Sequence, residues 1–255
     1  PSTPRKRDFA RRRSMASLVM ATLLLGACSN LITGDSLKEK VQDAVGEANA
    51  KPVKITDQPD PNNPGGSPSL SGEVDEKIGV EFPLSTTVFS AYAFKNWTVS
   101  GSGTVLFTST TSASTKVTVK AGPTSAADPI VIQANYYNKP TVTVDPSKDT
   151  GVLINKKITL DFSQEMDPDT VILGNVSVLE KSGTATVFTD VTSTYFEKIV
   201  PLAGNVGYYL VYKSGQRLKQ NYNYKVTLIP ASIKDKYQVP MERFDAQVFK
   251  TGTGI

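Results

Sequence analysis

Few side chains in this sequence could do chemistry, and the densest group of them is acidic. Asp161, Glu165, Asp167 and Asp169 crowd into DFSQEMDPDT. Closely spaced carboxylates in a loop are what calcium needs, because the ion takes about six to eight oxygen ligands. The same stretch also suits a purely structural role. Asp161 falls on the outer face of a predicted strand, and Asp167 before Pro168 is a good turn or N-cap residue. Capping is therefore the expectation, with calcium as its alternative and no cofactor otherwise implied. The chain contains no histidine, which excludes His-based triads, imidazole bases and most zinc sites. A serine with a lysine, or a pair of carboxylates, would be the remaining catalytic options. GSGT at Gly101–Thr104 lacks the context of a phosphate-binding loop and predicts a hairpin turn. Asn96-Trp97-Thr98 and Asn175-Val176-Ser177 fit the N-glycosylation pattern, which the leader described next makes a chance match.

The single cysteine, Cys28, stands where an apolar run turns polar, in LLLGACSNLITGDS. Before it lie Arg5, Lys6, Arg7, Arg11, Arg12 and Arg13 against Asp8 alone. Of 28 basic and 24 acidic residues, 22 and 23 therefore remain from position 28 onward, a net charge of −1. The overall +4 belongs to the leader. A nearly neutral body offers no electrostatic footprint to a polyanion, so no nucleic acid is expected as a partner.

Basic residues, then the apolar run Leu18–Ala27, then small residues follow the order of a secretory signal over residues 1–27. The run is shorter than the about 20 residues of a membrane-spanning helix. Its last four residues, Leu25, Gly26, Ala27 and Cys28, resemble the lipobox of bacterial lipoproteins. The resemblance implies cleavage between Ala27 and Cys28 and a diacylglyceryl thioether on the Cys28 thiol. Membrane lipid would then be the first partner. Ser29 after the cysteine resembles the enteric outer-membrane sorting signal, so the expected place is the bacterial envelope at the outer membrane, on its surface or periplasmic face. The chemistry is apt, because small residues admit a peptidase and each buried CH₂ of an acyl chain adds about 0.8 kcal/mol of membrane affinity. The alternative fate of a lone thiol is burial in a core. With no second cysteine, no disulfide can close within the chain.

The elements that follow must carry whatever this anchor holds. Ser36 with Glu39 makes a capping box, and Leu37, Val41, Val45 and Ala48 recur at helical spacing, which predicts a short helix over 37–49. Five prolines with Gly65 and Gly66 across 51–68 predict a linker, or else an irregular loop packed on the next domain. From Ser69 onward short runs rich in Val, Ile, Thr, Tyr and Phe, broken by Gly, Pro, Asn and Asp, predict an all-β chain. Within 69–138, the order AYAFKNWTVSG, STKVTVKAG and PIVIQANYY resembles the divergent internalin-type B-repeat of bacterial surface proteins. Ala91 and Tyr136 depart from that pattern. Trp97 is expected in the core, with a sugar-stacking platform as the alternative.

Over 139–255, VDPSKDTGVLINKKITLDFSQEMDPDTV, LKQNYNYKVTLIPASIKDKYQVPM and FDAQVFKTG resemble the SbsA-type bacterial Ig-like domain of S-layer proteins. The resemblance implies an Ig-like β-sandwich, from whose pattern the chain departs after Asp235, where KYQVPM stands in place of the family's glycine turn. Alternation supports that fold independently. Ile158, Leu160 and Phe162 oppose Lys157, Thr159 and Asp161, and Tyr222, Tyr224, Val226 and Leu228 oppose Asn221, Asn223, Lys225 and Thr227. Those tyrosines are expected as half-buried packing residues. The whole predicts two tandem β domains behind a short helix and linker. The expected function is non-enzymatic: a binding, adhesion or spacer module for an unknown protein or glycan ligand. The alternatives are a carbohydrate-binding accessory or hydrolase of the envelope, and a structural part of an envelope assembly.

Overall fold

A computed structural model describes residues 50–56 and 65–254. The predicted leader, Ala27, Cys28 and the 37–49 helix lie outside the described residues. Those described are almost entirely β, as the alternation predicts, and among them no helix is long and apolar enough to cross a membrane.

The strands fall into two units, each of two four-stranded sheets. The first unit holds β1 (Ala50–Thr56), β2 (Gly66–Pro68), β3 (Gly72–Lys77), β4 (Glu81–Val88), β5 (Tyr92–Ser100), β6 (Thr104–Phe107), β7 (Ser114–Ala121) and β8 (Ile130–Asn138). Its sheets run β3-β1-β8-β5 and β2-β4-β7-β6, antiparallel except for the β1–β8 pair. The second unit holds β9 (Val142–Asp145), β10 (Thr159–Phe162), β11 (Val176–Ser182), β12 (Thr189–Asp190), β13 (Phe196–Pro201), β14 (Gly207–Tyr212), β15 (Tyr222–Leu228) and β16 (Gln247–Lys250). Its sheets, β13-β14-β10-β9 and β12-β11-β15-β16, are antiparallel throughout.

Each unit closes over its own core. In the first, Val53, Trp97, Ile130, Ile132 and Ala134 from one sheet meet Phe82, Leu84, Val117 and Val119 from the other. In the second, Leu160, Phe162, Phe196, Tyr208 and Leu210 meet Val176, Val178, Tyr224, Val226 and Phe249. Inward faces of paired sheets interdigitating in this way define a sandwich. Ile158, Leu160 and Phe162 turn inward as their spacing predicts, with Asp161 outside. Tyr222 is half-buried as expected, while Tyr224 goes further and is wholly buried.

The structure corrects the 51–68 linker at both ends. Residues 50–56 form β1, which lies between β3 and β8, so the first unit reaches back at least to Ala50 and does not begin at Ser69. Proline density conceals it: KPVKIT has one proline, and Val53 in its centre is wholly buried. Gly65 and Gly66 are likewise not flexible spacers. A Cβ on Gly65 would lie 2.5 Å from the Tyr136 Cβ, and one on Gly66 would lie 2.5 Å from the Thr87 carbonyl oxygen. These glycines permit a close approach that a side chain would prevent.

GSGT is also corrected. β5 and β6 belong to different sheets, so Gly101–Thr104 turns a corner of the sandwich instead of closing a hairpin. Gly101 has φ +86°, and a Cβ there would collide with the Pro129 carbonyl oxygen. The position therefore requires glycine both for its left-handed backbone and for space.

Tyr208 marks a polar cost inside the second core. Its ring meets Phe162 edge-on at 5.6 Å, and its buried hydroxyl has no hydrogen-bond partner among the described residues. Burial, reinforced by the charges of Asp167 and Glu165, pushes its pKa up to about 12. A raised tyrosine pKa contributes stability that is fully present below pH 10 and is lost as pH rises through the folded value. Tyr208→Phe should therefore leave thermal stability at pH 7 unchanged or slightly higher, since it removes an unpaired buried hydroxyl. Between pH 10 and 12 the variant should lose less stability than the parent, as read by thermal melts across that window.

Candidate functional site

The ends of the two units meet in a short connector. Residues 139–141 separate β8 from β9, and the second unit holds them from two sides. Ser163 N–H donates to the Thr141 carbonyl at 2.9 Å, Thr141 N–H to Ser163 Oγ at 3.0 Å, and Glu242 N–H to the Pro140 carbonyl at 2.9 Å. Two loops of the second unit form this cradle, one after β10 and one after β15.

The DKYQV turn at Asp235 organises the second of these loops. Asp235 is completely buried. Its Oδ1 accepts the Tyr237 and Val239 N–H groups at 2.8 and 2.9 Å, and its Oδ2 accepts Gln164 Nε2 at 2.6 Å. A buried carboxylate is tolerable because each oxygen is met by a donor. No glycine stands in this turn, and Gln238 takes the left-handed position with φ +65°. Its side chain compensates by donating to Asp167 Oδ2 at 2.7 Å. Gln164 also donates to the Asn138 carbonyl at 3.3 Å, so one amide ties the last residue of β8 to the Asp235 turn.

Aromatic contact completes the junction. Tyr137 near the end of β8 stacks on Tyr237, with centroids 5.2 Å apart and planes inclined by 21°. Lys95 Nζ lies over the Tyr137 ring at 5.0 Å and Lys236 Nζ over the Tyr237 ring at 5.3 Å. Lys236 also pairs with Glu165 Oε2 at 2.7 Å, and that hydrogen bond and charge raise the lysine pKa. Around these groups opens a cleft of about 320 Å³ lined by Tyr137, Asn138, Gln164, Glu165, Lys236 and Tyr237, with Asp235 beneath.

The acidic run is spread over separate tasks. Asp161 sits exposed on β10, opposite Thr143 and Gly207. Glu165 pairs with Lys236. Asp167 accepts the Asp169 N–H at 3.1 Å through Oδ1, which closes a local turn, and Asp169 itself is exposed. Among the described residues no group of three or more such ligands comes together around a metal position. In the cleft, Glu165 and Asp235 are both engaged as acceptors, Asp235 through both oxygens. The arrangement suits holding and orienting a ligand, and no nucleophile is paired with a base there.

Sequence reasoning does not find Tyr137, Gln164, Asp235 or Tyr237 as one site. The only available signal is the resemblance, which places Asp235 in a turn without saying what it binds. Trp97, offered as either core or sugar platform, is core: it is 2% exposed and donates Nε1–H to the Ser112 carbonyl at 2.9 Å.

No family model matches the chain, and no curated protein does. Among solved structures, it is similar to the N-terminal part of the bacterial S-layer protein SbsC, at 14% identity and a TM-score of 0.33 over 46% of this chain and 24% of that one. It is also similar to the S-layer protein rSbsC(31-844), at 14% identity and a TM-score of 0.32 over 46% of this chain and 14% of that one. The matched part is thus about a quarter or less of those proteins.

Proposed function

We propose that the chain is an exported bacterial lipoprotein, held in the cell envelope at the outer membrane through an acylated Cys28, whose two β units act without catalysis as a binding and spacing arm. The observation that carries this reading is the order of the leader. Six basic residues, an apolar run and L-G-A-C precede a body whose net charge is −1. A thioether with two or three acyl chains makes anchoring effectively permanent, where one chain binds reversibly.

The two units support the arm in a physical way. The connector between them is short and held by hydrogen bonds on two sides, with the Tyr137–Tyr237 stack across the joint. Such a joint resists bending and keeps the loops of one unit in a fixed relation to the other. Since β1 starts at Ala50, the tether behind the arm comprises residues 29–49, which reach at most roughly 70 Å if fully extended.

Cys28→Ser should abolish incorporation of labelled palmitate and leave an unprocessed precursor on a denaturing gel. Labelling equal to the parent would overturn the anchor.

A further inference from the structure

We propose that the cleft at the joint binds a saccharide, taking one hexose or N-acetylhexosamine unit. This rests on the binding-arm reading above and names the class of ligand for it. The cleft volume of about 320 Å³ lies at the small end of small-molecule sites. Its lining is what separates a sugar from other ligands.

Several lining groups have hydrogen-bonding capacity unused within the described residues: the Asn138 side-chain amide, the Tyr137 hydroxyl and the Gln164 carbonyl oxygen. Together they offer both donors and acceptors on a few convergent positions. The one charged pair, Glu165 with Lys236, cancels locally. An anion would meet Glu165 as well as Lys236, and an apolar ligand would leave the amides and hydroxyls unpaired at a cost. A neutral polyhydroxyl ring satisfies both conditions, since each hydroxyl donates and accepts. Tyr237 is 57% exposed and so has surface to offer.

The site is also pre-organised. Asp235 fixes the backbone on which Tyr237 sits, and Gln164 fixes that turn to the end of β8. A ligand that meets a rigid site spends less of its interaction on ordering side chains. Because the lining comes from both units, a bound sugar would also brace the joint, so occupancy and rigidity of the arm are linked.

The test uses the full chain in detergent, titrated with cellobiose and with N,N′-diacetylchitobiose by calorimetry and saturation-transfer NMR. At least one should bind with a Kd on the order of 1 mM. Asn138→Ala should weaken that binding about fivefold to tenfold with an unchanged melting temperature, because Asn138 is exposed and the change removes only ligand hydrogen bonds. Tyr237→Ala should abolish it. No binding of either disaccharide at about ten times that concentration, or binding that both variants retain in full, would overturn the proposal. Palmitate labelling of the same preparation separates the two ideas. Normal labelling with a failed titration overturns the cleft alone, and lost labelling with a sound titration overturns the anchor alone.

Discussion

Glu180→Ala should cost about 3–5 kcal/mol, because it leaves two buried tyrosine hydroxyls without this acceptor, at roughly 1–3 kcal/mol each, and opens a cavity. Glu180 lies on β11, directly opposite Tyr224, with its side chain turned into the sandwich and the residue only 7% exposed. Its Oε2 accepts the Tyr195 and Tyr224 hydroxyls at 2.9 and 3.0 Å, and its Oε1 meets Lys219 Nζ at 2.5 Å. The Tyr224 hydroxyl also accepts the Lys219 N–H at 2.7 Å. Alanine would leave the Tyr195 hydroxyl unpaired, strip Tyr224 of its acceptor and open a cavity between them. Thermal or urea unfolding should show the loss, roughly 10–20 °C in melting temperature for a domain of this size.

Lys219→Ala separates the contributions, since that side chain is half exposed and its ion pair is screened. It should cost about 1 kcal/mol. Equal losses in the two variants would show that the ion pair, not the tyrosine hydrogen bonds, carries the stability. The network also has a pH signature. Burial, then the hydrogen bond to Glu180, raises the Tyr195 pKa above 10, and burial raises that of Tyr224. The hydrogen bond to Glu180 raises that of Lys219 above 10.5. All three contributions are complete below about pH 10 and fade as pH climbs through the folded values. Glu180→Ala should flatten that alkaline decline.

Glu180 also shows where sequence reading stops. Alternation in VSVLEKS places it on the inward face with Val176 and Val178, yet a charged residue there looks like a break in the pattern. Its partners come from 15, 39 and 44 positions away, and no local spacing announces them. Elsewhere the same alternation is sufficient. Val117 and Val119 in β7, and Leu160 and Phe162 in β10, are buried where a period of two puts them. The rule works for those strands because their burial is decided by hydrophobicity alone.

It fails where backbone fit decides. β1 hides among prolines because composition over 51–68 averages a core strand with its irregular neighbours. Gly65, Gly66 and Gly101 look like flexible or turn-forming residues, and become legible as packing residues only once Tyr136, Thr87 and Pro129 stand beside them. The candidate site is the extreme case. Tyr137 and Tyr237 lie a hundred positions apart, and the cleft exists only because Gln164 and the buried Asp235 bring one unit's last strand to the other's turn. The acidic run in DFSQEMDPDT is conspicuous in the sequence, while the Asp235 turn that pairs with it carries no unusual letter.

Trp97→Ala is the second large effect, expected at about 3–5 kcal/mol. Trp97 packs on Phe94 at 5.5 Å, and Phe94 in turn meets Tyr136 edge-on at 6.1 Å. Tyr136 abuts the Gly65–Gly66 segment and shares a 2.6 Å hydrogen bond with Thr86. The indole thus belongs to an aromatic chain that ties β5 and β8 to the opposite sheet. Truncation leaves a void in the smaller of the two cores and removes the Nε1 donor from the Ser112 carbonyl. Trp97→Phe should cost less, keeping part of the ring contact but still losing the hydrogen bond. Since the two cores share no residue, amide exchange should accelerate across β4, β5, β7 and β8 of the variant while β10, β11 and β15 keep their protection. Equal acceleration in both units would mean that they unfold as one, and that the joint couples them more strongly than its contacts suggest.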